Sequence, residues 1–278
     1  MNENLFVEFP LWGMFALTLV MVLVAFNVGV FLGEKHRLLA EKEDRSPISS
    51  IVAATLGLLA FLLAFTFGLA ANKFDERRAL VVDEANAIGT TYLRAGYLPD
   101  PYQTQVHNLL KAYVSVRLGA LETGSLTEGV NQSEALQDAL WQQATAIANA
   151  YPNSVAIGLF IQSLNEVIDL HAKRVNVGMR IRIPSIIWGA LYFVTALAIG
   201  SLGYQFGLTH VRYMGITLLL ILTFSTVILL IIDLDRPQEG MIRVSQQALM
   251  DLREKWKKED RHFQKDPVVN HSPSKTLG

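Results

Sequence analysis

The sequence predicts an all-α integral membrane protein, with four transmembrane helices and a helical soluble domain continuous with them. Three observations predict it. Of the 278 residues 51% are hydrophobic and the mean hydropathy is +0.30, although 18% of residues are charged. Those charges are segregated: no Asp, Glu, Lys or Arg interrupts Phe9–Gly33, Ser46–Asn72, Ile183–Val211 or Tyr213–Ile232. Each run holds about 20 residues or more, enough to cross a hydrocarbon core of about 30 Å as a helix. Between the second and third runs apolar residues recur at helical spacing, and no strand alternation is sustained.

Span one covers Pro10–Gly33. Its leader, MNENLFVEFP, has two glutamates and no Lys or Arg, and the run is too long for a signal-peptide core, so it is expected to stay in the mature chain. A charged linker, GEKHRLLAEKEDRSP, leads to span two, Ile48–Ala71, which closes a membrane region over 1–71. The soluble domain is 72–182. Asp100-Pro101 reads as an N-cap with proline at the first helical position, opening a helix that ends near Thr123-Gly124. A second helix is expected over Asn131–Tyr151, stopped by Pro152, and a third over Asn153–Met179. Spans three (Pro184–Phe206) and four (Arg212–Ile232) fill 183–233. An amphipathic, charge-rich helix follows within 234–263, over Met241–Phe263, suited to packing on the soluble domain, and 264–278 reads as disordered.

Basic residues set the sidedness. Lys73, Arg77, Arg78, Lys173, Arg174, Arg180, Arg182, Arg236 and Arg243 flank the spans on the soluble-domain side, against Lys35, Arg37, Lys42, Arg45 and Arg212 opposite. The positive-inside tendency places the soluble domain and both termini in the cytoplasm. Trp12 and Trp188 then share one interface, as an aromatic belt has them.

The join between oil and water after span two has no stop signal. The stretch AFTFGLAANKFDERRALV passes from apolar residues into Lys73, Asp75, Glu76, Arg77 and Arg78 without proline. Ala53, Gly57, Ala60, Ala64, Gly68 and Ala71 lie three or four apart, a stripe where another backbone can approach closely. Leu58, Phe61 and Phe65 lie beside it, and the same face continues through Asn72, Glu76, Ala79, Asp83, Asn86 and Thr90. Two readings of the phenylalanines stand: lipid-facing or helix-packing residues, or a collar that gates a pore by dewetting. Glu76 and Asp83 are correspondingly a solvated face with salt-bridge partners, or an ion-selecting ring if repeated about an axis. Arg77, Arg78 and Arg94 fall on other faces, placed for salt bridges or lipid phosphates.

This segment resembles bestrophins. Lys73-Phe74 takes the place of the family's Arg-aromatic pair after the neck helix, and Glu76-Arg77-Arg78 that of its Glu-Gly-Arg. RIRIPSIIW, Arg180–Trp188, is similar to the family's entry to its third span. Closer still is the bacterial bestrophin-like family of unknown function, whose run FTFGLAANxFDxRR…EANAIGTTYLRA matches Phe65–Ala95 almost throughout, with likeness extending over Ile48–Gln246. The resemblance implies a homo-oligomer of five copies in the bacterial inner membrane, surrounded by lipid and passing inorganic ions. Phe61, Phe65 and Gly57 would form its pore neck, and Asn72, Glu76, Asp83 and Asn86 its vestibule. The chain departs from bestrophins at Thr66 and Phe67, and the acidic cluster after span four shrinks to Asp233, Asp235 and Glu239. Three side chains fall short of the six to eight oxygens calcium takes. Asp233 and Asp235 read as a weak cation site or as anchors for the end of span four.

Other chemistry finds little footing. His36, His107, His171, His210, His262 and His271 are scattered without metal-ligand spacing, and His171 reads as a packing histidine with its hydrogen bonds satisfied. Phosphate loops and nucleophile elbows are missing, so neither an enzyme nor a cofactor is expected, and zero cysteines exclude thiolate metal sites. A net charge of −1 gives no nucleic-acid footprint. The leading expectation is a bestrophin-like homo-oligomeric ion channel. The alternative is a non-conducting scaffold or sensor whose soluble domain binds a partner or lipid.

Overall fold

The computed structural model describes residues 10–39, 46–180, 182–209, 214–236 and 240–265. Lys42, Arg45, His210, Arg212, Glu239 and the tail from residue 266 lie outside them, as do the side chains of Arg180 and His262. The described residues form eight α-helices and no strand. In chain order these are α1 Leu11–Leu39, α2 Ser46–Ala95, α3 Tyr102–Thr123, α4 Leu126–Ala150, α5 Val155–Val175, α6 Ser185–Thr209, α7 Met214–Asp235 and α8 Gln247–Lys265. A π-helical turn, Asn176–Arg180, follows α5. The chain divides into two compact units, Met1–Glu76 with Ile181–Val244 and Arg77–Arg180 with Ser245–Gly278. α2 is one uninterrupted 50-residue helix that contributes to both.

The first unit is the membrane-spanning one. Four of its helices, α1, α2, α6 and α7, are long and apolar enough to cross a bilayer, and only between 17% and 33% of each apolar window is buried within the chain. Most of that surface therefore meets lipid or other protein. The closest internal approach is between α1 and α6. A methyl group on Gly29 would overlap the carbonyl of Gly200, one on Gly33 that of Tyr204, one on Gly203 that of Phe26, and one on Gly207 that of Val30. Two small-xxx-small pairs, Gly29/Gly33 and Gly203/Gly207, thus let two backbones touch where lipid supplies no hydrophobic drive. Thr18 on α1 bonds the Tyr192 hydroxyl on α6 at 3.0 Å, and Thr55 on α2 bonds Ser201 at 3.1 Å. Leu59, Leu63 and Ala70 of α2 pack with Leu191, Ala198, Ile228, Ile231 and Ile232.

The glycine contacts explain one departure from expectation. Span one was expected to end at Gly33 in a linker, but α1 runs on to Leu39. A methyl group added to Gly207 of α6 would come within 2.8 Å of the Glu34 nitrogen, and His36 Nδ1 bonds the Tyr204 hydroxyl, so the partner helix holds the extra turns. The small residues of span two behave oppositely: nothing lies within 4 Å of a methyl added to Gly57 or Gly68.

The second unit is a helical block made by residues 77–95 of α2 with α3, α4, α5 and α8. Its core joins Ile88, Leu110, Tyr113, Leu140, Ile147, Phe160, Leu164, Leu249 and Trp256. The expected cap of α3 is displaced by one residue. Pro101 occupies the N-cap with no side-chain bond, while Asp100 Oδ1 accepts from Thr104 Oγ1 at 3.1 Å. Gly124 closes α3 at φ 71°, a left-handed conformation that glycine adopts without strain. α4 starts at Leu126 rather than Asn131, because Gly129 packs directly against Ala120 of α3. Ser154 caps α5, its hydroxyl accepting from Ile157 N at 3.5 Å. α8 starts at Gln247 instead of Met241, since the backbone N–H groups of Met241 and Ile242 are taken by the Asp233 carboxylate at 2.7 and 3.0 Å. It packs on the block as expected, with Tyr92 stacked between His107 (4.0 Å) and Trp256 (4.4 Å), and Lys111 bonded to Asp260 at 2.7 Å.

Gly203→Ala is expected to destabilise the chain by about 1–3 kcal/mol through overpacking against the α1 backbone. Gly57→Ala, made into open space, should leave the monomer's stability within about 0.5 kcal/mol. Thermal unfolding in detergent distinguishes the two.

Candidate functional site on the second helix

α2 buries one stripe along its whole length. Val52, Leu59, Leu63, Thr66 and Ala70 are buried in the first unit, and Arg77, Val81, Glu84, Ile88, Thr91 and Ala95 in the second. These positions advance by three, four or seven, the repeat of one helical face. The opposite face is bare. Gly57, Asn72, Glu76, Asp83 and Asn86 are exposed, and Phe61 and Phe65 keep 66% and 57% of their surface open. All seven residues expected to line a neck and vestibule therefore lie on the side of α2 that the chain itself leaves uncovered.

The three arginines divide. Arg77 is buried, its Nε 3.4 Å from the carbonyl of Val177, and Arg94 Nη1 donates to the Leu159 carbonyl at 2.7 Å. Arg78 is exposed. Asp233 and Asp235 are both buried. Beyond the two N–H groups that Asp233 holds, Asp235 Oδ1 accepts from Ile183 N at 3.0 Å, tying the end of α7 to the entry of α6. Among the described residues no group of three His, Asp or Glu side chains is placed to hold a metal ion.

The block also holds a buried polar cluster that the sequence reading missed. Glu84, fully enclosed, faces Arg174 Nη1 in direct contact and Arg117 Nη2 at 3.4 Å. Its other oxygen accepts from the Tyr113 hydroxyl at 2.7 Å. Gln137 Nε2 donates to that hydroxyl at 3.2 Å, and His171 Nδ1 lies 3.1 Å from it. Arg174 Nη2 reaches Gln246 Oε1 at 3.1 Å. Only one signal in the sequence could have found it: Glu84 is an ionisable residue at helical spacing between the apolar Val81 and Ile88.

Each group's proton affinity follows from this packing. Burial alone would raise the Glu84 carboxyl, but the Arg174 and Arg117 charges and the Tyr113 hydrogen bond outweigh it and hold it below the ordinary value. Burial and the neighbouring Glu84 charge push the Tyr113 hydroxyl well above its usual range. His171 is lowered to about 4, first by burial and then by Arg117. It packs as expected but is only half satisfied: Nε2 is buried and has no partner among the described residues.

Glu84→Ala is expected to cost about 3 kcal/mol, because it strands two largely enclosed guanidinium groups. Denaturant unfolding followed by the fluorescence of Trp256, which lies in the block core, measures it.

Comparison with known proteins agrees with this architecture. Among curated protein sequences none matches the chain. Two crystal structures of a bacterial bestrophin homolog from Klebsiella pneumoniae superpose with 16% identity. One, a mutant, has a TM-score of 0.62 and is covered to 96% by 88% of this chain; the other scores 0.61, with 97% and 87% covered. A crystal structure of a membrane protein at 15% identity matches 94% of this chain and 99% of its own, with a TM-score of 0.61. At these identities the likeness establishes the fold. A family model for the bestrophin-like domain matches residues 16–249, most of the chain, and the protein therefore belongs to the bestrophin-like family.

Proposed function

We propose that this chain is one subunit of a homo-oligomeric ion channel of bestrophin-like build, with α2 innermost in a ring of copies. The observation that carries the reading is the bare face of α2, apolar at Phe61 and Phe65 and polar from Asn72 to Asn86, on a helix otherwise packed along its opposite side. Two phenylalanines with more than half their surface open, in a span that also offers lipid-facing positions such as Ile51, are suited to a dry collar when repeated about an axis. Gly57, two turns away, leaves that collar wide at one end. Glu76 and Asp83 then add carboxylates to a wet chamber, which favours cations over anions. Five copies follow from the family resemblance.

In this reading the membrane regions are 1–71 and 183–233, and the soluble domain 72–182 lies in the cytoplasm with the C-terminal helix of 234–263 against it. The membrane is the bacterial inner membrane. Arg78, exposed, is available to a lipid phosphate or a partner's carboxylate, whereas Arg77 and Arg94 each bond a carbonyl of their own block. Asp233 and Asp235 anchor the end of α7 through backbone N–H groups.

Purified protein in planar bilayers should conduct, and Phe61→Ala with Phe65→Ala should raise the open probability severalfold by wetting the collar. Asp83→Asn should move the reversal potential in a salt gradient toward the anion side. A silent wild type, or currents indifferent to both phenylalanine changes, would remove the neck. Mass photometry in detergent supplies the second check: a monomer or dimer has too few copies of α2 to enclose a pore and would leave the scaffold reading.

A further inference from the structure

His171 has a fixed tautomer and an enclosed, unpartnered nitrogen among the described residues. Its single proton position is fixed by its neighbours. The Tyr113 hydroxyl gives its only proton to Glu84, so its oxygen accepts from His171, which must carry hydrogen on Nδ1. Nε2 is consequently a bare lone pair, enclosed in a residue only 3% exposed and without a partner among the described residues. A proton can land there without breaking any existing hydrogen bond. Once there, it finds no acceptor among the described residues.

The charges around the ring then decide the outcome. Facing His171 are Glu84 from α2 (3.9 Å), Tyr113 and Arg117 from α3 and Arg174 from its own helix; the polar groups bonded to this set are Gln137 from α4 and Gln246 just before α8. Neutral His171 leaves two guanidinium groups against one carboxylate. A protonated ring makes three largely enclosed cations against one anion, an imbalance that removal from water makes costly.

We propose that His171 is a proton-operated release on the helical block: a proton at Nε2 forces open the contact that holds α5 and α3 to Glu84 of α2. The release belongs to the block's own fold and stands whether or not the chain conducts; any effect on conduction rests on the channel reading, since Asp83 and Asn86 flank Glu84 on the same helix. Linkage sets the direction. The ring's proton affinity is lowered in the closed block to about 4, against the ordinary 6.5 once exposed. Between those values the open form binds more protons than the closed one, so the closed form is favoured above pH 6.5 and loses ground as pH falls toward 4.

Hydrogen exchange on the full-length protein in nanodiscs, corrected for intrinsic rates, tests this at pH 7.5 and 5.0. The corrected exchange of α5 and of residues 79–91 should rise on the order of 30-fold at the lower pH, from the two affinities given. His171→Gln should show no such ratio, and His107→Gln should keep it. A flat wild type, or a His171→Gln protein that responds like wild type, overturns the proposal. Should His171→Gln exchange fast at both pH values, Arg117→Gln decides. With one cation fewer beside the ring the ratio must shrink, and an unchanged ratio overturns the proposal.

Discussion

α2 gives the rest of its chain one face, and it is the same face in both units. The stripe that seats Leu59, Leu63 and Ala70 among the membrane helices continues in register to Val81, Ile88 and Ala95 in the helical block. No proline, glycine kink or bulge resets the register between them, because the helix is unbroken from Ser46 to Ala95. Everything on the opposite side is therefore committed to lipid, water or other molecules for the whole length of the helix. That constraint puts Phe61, Phe65, Asp83 and Asn86 on the same face of the helix.

Within the membrane unit, close packing and hydrogen bonding are concentrated elsewhere. α1 and α6 meet through glycines whose lack of a side chain brings carbonyls against the neighbouring backbone. Lipid is as apolar as any leucine, so contact quality rather than burial holds such a pair together. The Thr18–Tyr192 and Thr55–Ser201 bonds add polar ties where unpaired hydroxyls would be costly. α2 makes few such contacts on its small-residue side, and that side remains open.

The block is held differently. Its apolar core surrounds a carboxylate that two guanidinium groups, a tyrosine and a histidine address together. A buried charge of this kind is weak evidence for net stability, yet removing a partner is expensive. It ties α2, α3 and α5 together through one carboxylate. On the proposal made for His171, a proton on its ring is what loosens that tie.

Much of the fold was legible from the chain alone. Charge-free runs long enough to span a bilayer, and apolar residues at helical spacing, are local properties that survive in any tertiary context; they located the four membrane helices, the all-α block and the unbroken passage of α2 into water. That the residues from Gly57 to Asn86 share one face was legible for the same reason, as a periodicity of one helix. Only the tertiary structure decided which side of α2 is buried, which glycines touch and which charges are enclosed. Gly29 meets Gly200, and Glu84 meets Arg117 and Arg174. Such partners lie far apart in the chain, and their pairing depends on how helices cross, which leaves no local mark on either segment.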